Sequence, residues 1–261
     1  MKTRVLSSLI MLPFFVVLYI GGPALAAVCL ILGFMAMREL FRAFGSAGIK
    51  PSLPIGALAL LALYGIEFLV PQAERGYASA LWLALAVFAS FLYLFDVKGR
   101  RLEDGMATIT GILYTGFLSF HITLVDRGGH PLMVWLIFLS AFGSDILAYL
   151  AGSALGRHKL CPAISPKKTV EGAIGGLVGG VAFCGAFGAL FMPGLLAHCL
   201  AVGLIGGAVS QLGDLTASIF KRKLGIKDYG NLIPGHGGIL DRIDSVLFTA
   251  PLVYYYIWIA L

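Results

Sequence analysis

The sequence predicts an all-α, polytopic integral membrane protein with about nine transmembrane helices, and three observations predict it. Hydrophobic residues fill 59% of the 261 positions and charged ones only 12%, about half the ~25% share of a soluble domain. Apolar runs long enough to cross a bilayer recur along the whole chain, and helices satisfy every backbone polar group inside such a run. The Lys and Arg residues then sort onto alternate loops.

Runs read against breakers give segments 4–20, 23–43, 55–70, 78–95, 106–125, 131–155, 171–191, 195–220 and 241–260. Gly21-Gly22-Pro23 separates the first two, and 55–70 is the short one. With this count, all 19 Lys and Arg residues except Arg75 and Arg127 fall on one side. Basic loops mark the cytoplasmic face, so the N-terminus is expected inside and the C-terminus on the opposite side. The net charge of +6 therefore describes one membrane face beside anionic lipid, and no nucleic-acid groove is expected. Lys2, Arg4 and the apolar run after them resemble a secretory signal; among so many later spans an uncleaved first helix is expected. Cys29, Cys161, Cys184 and Cys199 show no metal or redox spacing and read as small apolar fillers.

Two functional regions are expected. Residues 1–130 form a plain scaffold of helices suited to lipid or dimer contacts, whereas 131–261 hold polar residues inside helices and the longest basic loops, near 156–170 and 221–240. Segment 171–191 carries Gly172, Gly176 and Gly180 with Gly175 and Gly179 beside them, and segment 195–220 carries Gly203 and Gly207. Small residues at this spacing bring helices together in lipid. No GxxxxGK[ST] loop occurs.

Asp145, preceded by Ser144, sits mid-helix, and Asp214 lies in "SQLGDLTASIFKRK". A carboxylate at that depth needs a cavity, a cation or a basic partner. Asp214, Ser218 and Lys221 share one helix face. In "KDYGNLIPGHGGILDRID" (227–244), Asp241 and Asp244 open the last segment three residues apart, on one face, and Arg242 points elsewhere, toward a phosphate or an acid. Gly235-His236-Gly237-Gly238 before them reads as an N–H-rich anion seat at a helix start. His236 lacks a second ligand at zinc spacing and serves either as a phosphate contact or as a polar contact. "SPKKTVEG" (165–172) reads as an ordered turn capping the next helix, its Lys167 and Lys168 offered to a triphosphate. Carboxylates suit Mg²⁺, which bridges phosphates. Lys and Arg neutralise charge developing during phosphoryl or nucleotidyl transfer.

Over residues 218–244, Ser218-x-Phe220-Lys221-Arg222, then Lys227-Asp228-x-Gly230, then Ile233-Pro234-x-His236-Gly237-Gly238-Ile239-x-Asp241-Arg242-Ile243-Asp244 resembles the signature of phosphatidate cytidylyltransferases. "SPKKTVEG", "SQLGDLTAS" and "FGSDILAYLAG" (142–152) are similar to the same family's. The resemblance implies a homodimeric enzyme of phospholipid synthesis in the bacterial inner membrane. It would join CTP and phosphatidate in a cytoplasm-facing cleft, with Mg²⁺ and K⁺ as a second ion. Asp214 and Asp241 would then ligate metal with Asp244 close by. Lys221, Arg222 and Lys227 would hold phosphates, Lys167 and Lys168 CTP, and Ser144, Asp145, Ser218, Asp228, His236, Gly237, Gly238 and Arg242 would complete substrate binding. The rival from another class is a cation-coupled transporter relaying through Asp145 and Asp214, although no repeated halves support it.

Overall fold

The computed structural model describes residues 12–230 and 237–261. Among these, seven helices are long and apolar enough to cross a membrane: Gly22–Ser46, Gln72–Phe95, Leu102–Asp126, Pro131–Leu155, Val170–Phe191, Pro193–Lys223 and Leu240–Ala260. Leu53–Leu69, at 17 residues, reaches about 25 Å, at the short end of the range for a span. The stretch Leu12–Ile20 is the described part of the first expected segment. The helical membrane class stands, and over its described residues each expected segment coincides with helix.

The chain forms two compact units, Met1–Phe120 with Lys223–Arg242, and His121–Arg222 with Ile243–Leu261. The segment Lys223–Arg242 groups with the first unit, and Glu39 of that unit accepts from its Ile239 and Leu240 amides.

In the first unit, α1 (Leu12–Ile20) and α2 (Gly22–Ser46) are separated where Gly21 and Gly22 take φ of 64° and 58°, a region that costs other residues dearly. Pro23 then suits the first turn of α2. The Ser52 side chain caps α3 (Leu53–Leu69) by accepting from the Ile55 N–H at 3.5 Å. Trp82 of α4 (Arg75–Leu92) donates its indole N–H to the Ala59 carbonyl of α3 at 2.7 Å. The span expected at 106–125 is less regular than its sequence suggests. Helices α5 (Leu102–Gly111) and α6 (Leu118–Asp126) flank a π-helical stretch, Ile112–Phe117. There Thr115 Oγ1 bonds back to the Gly111 carbonyl at 2.7 Å and Ser119 Oγ to Thr115 at 2.6 Å, the kind of back-bonding that loosens helical regularity.

The second unit holds most of α6, α7 (Val134–Leu155), α8 (Val170–Phe191), nearly all of α9 (Leu196–Lys223) and most of α10 (Leu240–Ala260). Its glycines pack helices as expected. A Cβ on Gly143 of α7 would lie 2.9 Å from the Gly179 carbonyl oxygen of α8. On Gly203 of α9 it would lie 2.9 Å from the Cys184 Cβ of α8, and on Gly213 of α9, 2.6 Å from the Asp244 carbonyl oxygen of α10. Helix α8 is thus clasped between α7 and α9, and α9 meets α10 main chain to main chain. Thr249 Oγ1 of α10 donates to the Ile137 carbonyl of α7 at 3.0 Å.

One element departs from the all-helical expectation. Between α7 and α8 the chain makes a hairpin, β1 (Lys159–Cys161) against β2 (Ser165–Thr169), antiparallel with Lys159 opposite Thr169 and Cys161 opposite Ser165. "SPKKT" is therefore a strand, and Pro166, which cannot donate to a ladder, is accommodated because a two-stranded ribbon consists only of edges. The cap itself is as foreseen: Thr169 Oγ1 accepts from the Gly172 N–H at 3.1 Å. Replacing this cap by Thr169→Ala should cost about 1 kcal/mol. In a chain this long that lowers the thermal midpoint by about 2–4 °C, to be read by thermal unfolding in detergent.

Candidate active site

Where the second half of α7, the hairpin, the start of α8 and the second half of α9 converge, they enclose a cavity of about 460 Å³, within the range of small-molecule sites. Asp145 of α7, Lys167 and Lys168 of β2, and Gln211 and Asp214 of α9 line it. Asp145 is exposed although it sits mid-helix, so the cavity answers the question its position raises. Half-buried Lys168 and Asp214 form an ion pair. Asp244 of α10 is 7% exposed, and its Oδ1 accepts from the Ser245 N–H at 2.8 Å. The charges of Asp214, Lys221 and Asp145 bear on it. This one unit thereby gathers three carboxylates and three lysines at the hairpin end of an otherwise apolar bundle.

Other expected site residues have structural employment. Ser144 is fully buried between α7 and α9, donating to the Gly207 carbonyl at 3.1 Å and accepting from Gln211 Nε2 at 3.4 Å. Its hydroxyl serves helix packing, while its neighbour Asp145 lines the cavity. Arg222 Nε donates to the Ile164 carbonyl at 3.2 Å, which ties α9 to the hairpin turn. Ser218 is half-buried on α9, one turn beyond Asp214.

The remaining signature residues belong to the first unit. Lys227 and Asp228 are exposed. Asp241 Oδ2 accepts from the Tyr229 N–H at 2.8 Å and the Gly238 N–H at 3.0 Å, which closes the segment on itself. Gly237 holds φ 85° directly over that carboxylate, where a Cβ would fall 2.9 Å from Oδ2. At the start of α10 the described amides meet acceptors from within the chain. Glu39 of α2, 7% exposed, accepts from the Ile239 N–H at 3.0 Å and the Leu240 N–H at 2.8 Å. The Gly238, Ile239 and Leu240 amides are thus taken by Asp241 and Glu39, while Gly235 of the expected seat lies outside the described residues. Arg242 Nε is buried without a hydrogen-bond partner among the described residues. His236 lies outside the described residues. Among the described residues no three His, Cys, Asp or Glu side chains already form a metal cage.

The sequence pattern of the Cytidylyltransferase family matches residues 2–260. A phosphatidate cytidylyltransferase of Synechocystis sp. is 35% identical, the alignment covering 93% of this chain and 91% of that protein. Phosphatidate cytidylyltransferases of Staphylococcus haemolyticus and Staphylococcus aureus are also 35% identical, over 97% of both chains in each case. The chain belongs to the cytidylyltransferase family.

Gln211, Gly213 and Glu39 of this cytidylyltransferase were not singled out from sequence. Gln211 crosslinks the helices around the cavity, its Nε2 donating to Ala173 O at 3.0 Å and Gly207 O at 3.2 Å. Glu171 accepts from the Arg157 N–H at 3.1 Å and faces His158 Nδ1 at 2.6 Å, anchoring the chain that enters the hairpin. Gly213 gives the Asp214 helix its contact with the Asp244 helix; its position beside an acid is the only signal the sequence offers for that. Glu39 carries no such signal.

Proposed function

We propose that this membrane-embedded cytidylyltransferase condenses CTP with phosphatidate, giving CDP-diacylglycerol and pyrophosphate. The observation that supports the reading best is the cavity that pairs Lys168 with Asp214 beside Asp145 and Lys167, in a chain matched to the family over residues 2–260. A phosphate oxygen of phosphatidate attacks the α-phosphorus of CTP. The bond from that phosphorus to the β-phosphate bridging oxygen breaks, and pyrophosphate leaves with the electron pair. A phosphomonoester is largely ionised near neutral pH, its second pKa being about 6. Positioning and charge neutralisation therefore do most of the catalysis.

The donor set suits a divalent metal. Asp145, Asp214 and Asp244 are hard oxygen donors whose like charges act within one unit, and Mg²⁺ is held by one or two carboxylates plus substrate phosphates rather than by an all-protein cage. Asp214 and Asp244 would hold it, with K⁺ as the second ion that the resemblance implies. Bound there, a divalent ion supplies neutralisation of the triphosphate charge. Lys168 leaves Asp214 for a phosphate oxygen when CTP enters, Lys167 assists from the same strand, and Lys221 and Arg222 face the charge of the lipid phosphate. Asp241 acts by closing the signature segment.

The working arrangement is nine spans with the N-terminus in the cytoplasm, a homodimer in the bacterial inner membrane, and a site open to cytoplasmic CTP. The transporter reading gives way to the family membership, since Asp145 and Asp214 sit in a cytidylyltransferase. Purified protein incubated with phosphatidate, CTP and Mg²⁺ should release pyrophosphate, with the lipid and CTP each required and EDTA stopping turnover until Mg²⁺ is restored. Folded protein that yields no pyrophosphate would refute the reading.

A further inference from the structure

The buried glutamate of α2 is the least expected feature of the chain. Glu39 lies on the face of α2 that also buries Ala36, Met37, Leu40 and Ala43, a poor place for a carboxylate unless it is fully hydrogen-bonded. Both its oxygens are used: Oε1 takes the Ile239 N–H and Oε2 the Leu240 N–H, at 3.0 Å and 2.8 Å. These are orphan donors of the first turn of α10, at the positive end of its dipole. Gly230 and Gly238 close over the carboxylate. A Cβ on Gly230 would lie 2.7 Å from Glu39 Oε1, and one on Gly238 2.7 Å from its Cδ. The partners lie 200 and 201 residues away in sequence. Glu39 therefore grips the signature segment at the point where α10 begins, one residue before Asp241.

We propose that Glu39 is a positioning residue for nucleotidyl transfer: its carboxylate fixes the start of α10 and with it the orientation of Asp241 and of the turn Gly237–Leu240. It touches no substrate and acts only through that segment. The inference rests on the transfer reaction proposed above. Its specific chemistry is a matched pair of acceptors meeting two adjacent N–H donors. An amide in the same place offers one acceptor and turns an NH₂ group toward the second donor, so Glu39→Gln keeps shape and volume while removing the fit.

The test uses the full chain in detergent with phosphatidate, CTP and Mg²⁺. For Glu39→Gln, kcat should fall by at least about tenfold, with KM for CTP unchanged within about threefold, the loss of a positioning contact realised in the transition state. Amide hydrogen exchange at Ile239 and Leu240 should quicken by about tenfold or more as the caps are lost, while exchange in α8 stays as in the parent. Glu39→Asp, which restores both acceptors on a shorter stem, should recover part of the kcat. It also serves as the readable variant should Glu39→Gln not fold. An unchanged kcat in Glu39→Gln, or parent-like exchange at Ile239 and Leu240, would overturn the inference. A parent protein that forms no pyrophosphate would instead overturn the reaction, and the exchange result would still decide whether Glu39 holds the segment.

Discussion

Asp214→Asn should reduce CTP-dependent turnover by at least about 10²-fold, the scale on which a single preorganised electrostatic group matters in a transition state, while leaving the protein folded. The substitution is nearly isosteric, so packing along α9 is preserved. What it removes is the charge that Lys168 now balances and that a divalent ion would balance in the working complex. With 26% and 30% of the two side chains exposed, the ion pair contributes about 1 kcal/mol or less to stability, so the thermal midpoint should barely move. Loss of turnover without loss of fold is thus the distinguishing signature. It is checked by pyrophosphate release alongside thermal unfolding of the same preparation. Turnover within about tenfold of the parent would remove Asp214 from the reacting centre. Lys168→Gln should weaken CTP binding and leave Asp214 unbalanced, so the double variant should fall short of the sum of the two single losses.

The second large effect concerns stability. Gly203→Val should sharply reduce the yield of folded, monodisperse protein. A Cβ at Gly203 would come within 2.9 Å of the Cys184 Cβ and 2.9 Å of the Gly180 carbonyl carbon. Neither neighbour is the end of a flexible side chain, so relief requires moving α9 away from α8. Overpacking of a tight core costs about 1–3 kcal/mol and more where main chain must shift. Because α9 carries Asp214, whatever protein survives should also lose turnover. Gly65→Ala is the matched control. Nothing lies within 4 Å of a Cβ there, and exchanging glycine for alanine inside a helix is worth about 0.5–1 kcal/mol in favour of folding. The control should melt no lower than the parent, whereas Gly203→Val should melt well below it. Equal midpoints would show that these helices do not depend on the close approach.

Much of this architecture is legible in sequence because lipid imposes one strong rule, that a spanning segment be apolar for its whole length. The helices, the Gly21-Gly22 break and the glycine contacts between α7, α8 and α9 follow from it. The acids Asp145 and Asp214 were found for the same reason, since a carboxylate in such a run demands an explanation. Glu39 escaped because it sits between Arg38 and Arg42 near a helix end, where a charge looks like an ordinary headgroup-facing residue. Its role depends on two amides about 200 positions away, and one chain read alone carries no trace of such a pairing. The hairpin escaped because "SPKKT" is short and holds a proline, both signals of a turn. Its strand character comes from pairing with Lys159–Cys161. The π-helical stretch Ile112–Phe117 reads as unbroken helix because its composition is equally apolar on either side.

The contact at Gly213 sets how the carboxylates of α9 and α10 are spaced. Side chains between two helices act as a cushion, able to change rotamer and let the gap widen or narrow. Here the cushion is missing, and only a hydrogen atom separates one backbone from the next. The separation is therefore a fixed gauge, indifferent to side-chain breathing and to the lipids pressing from outside. Any side chain placed at Gly213 would have to shift the main chain itself, and Asp214 beside it would move relative to Asp244.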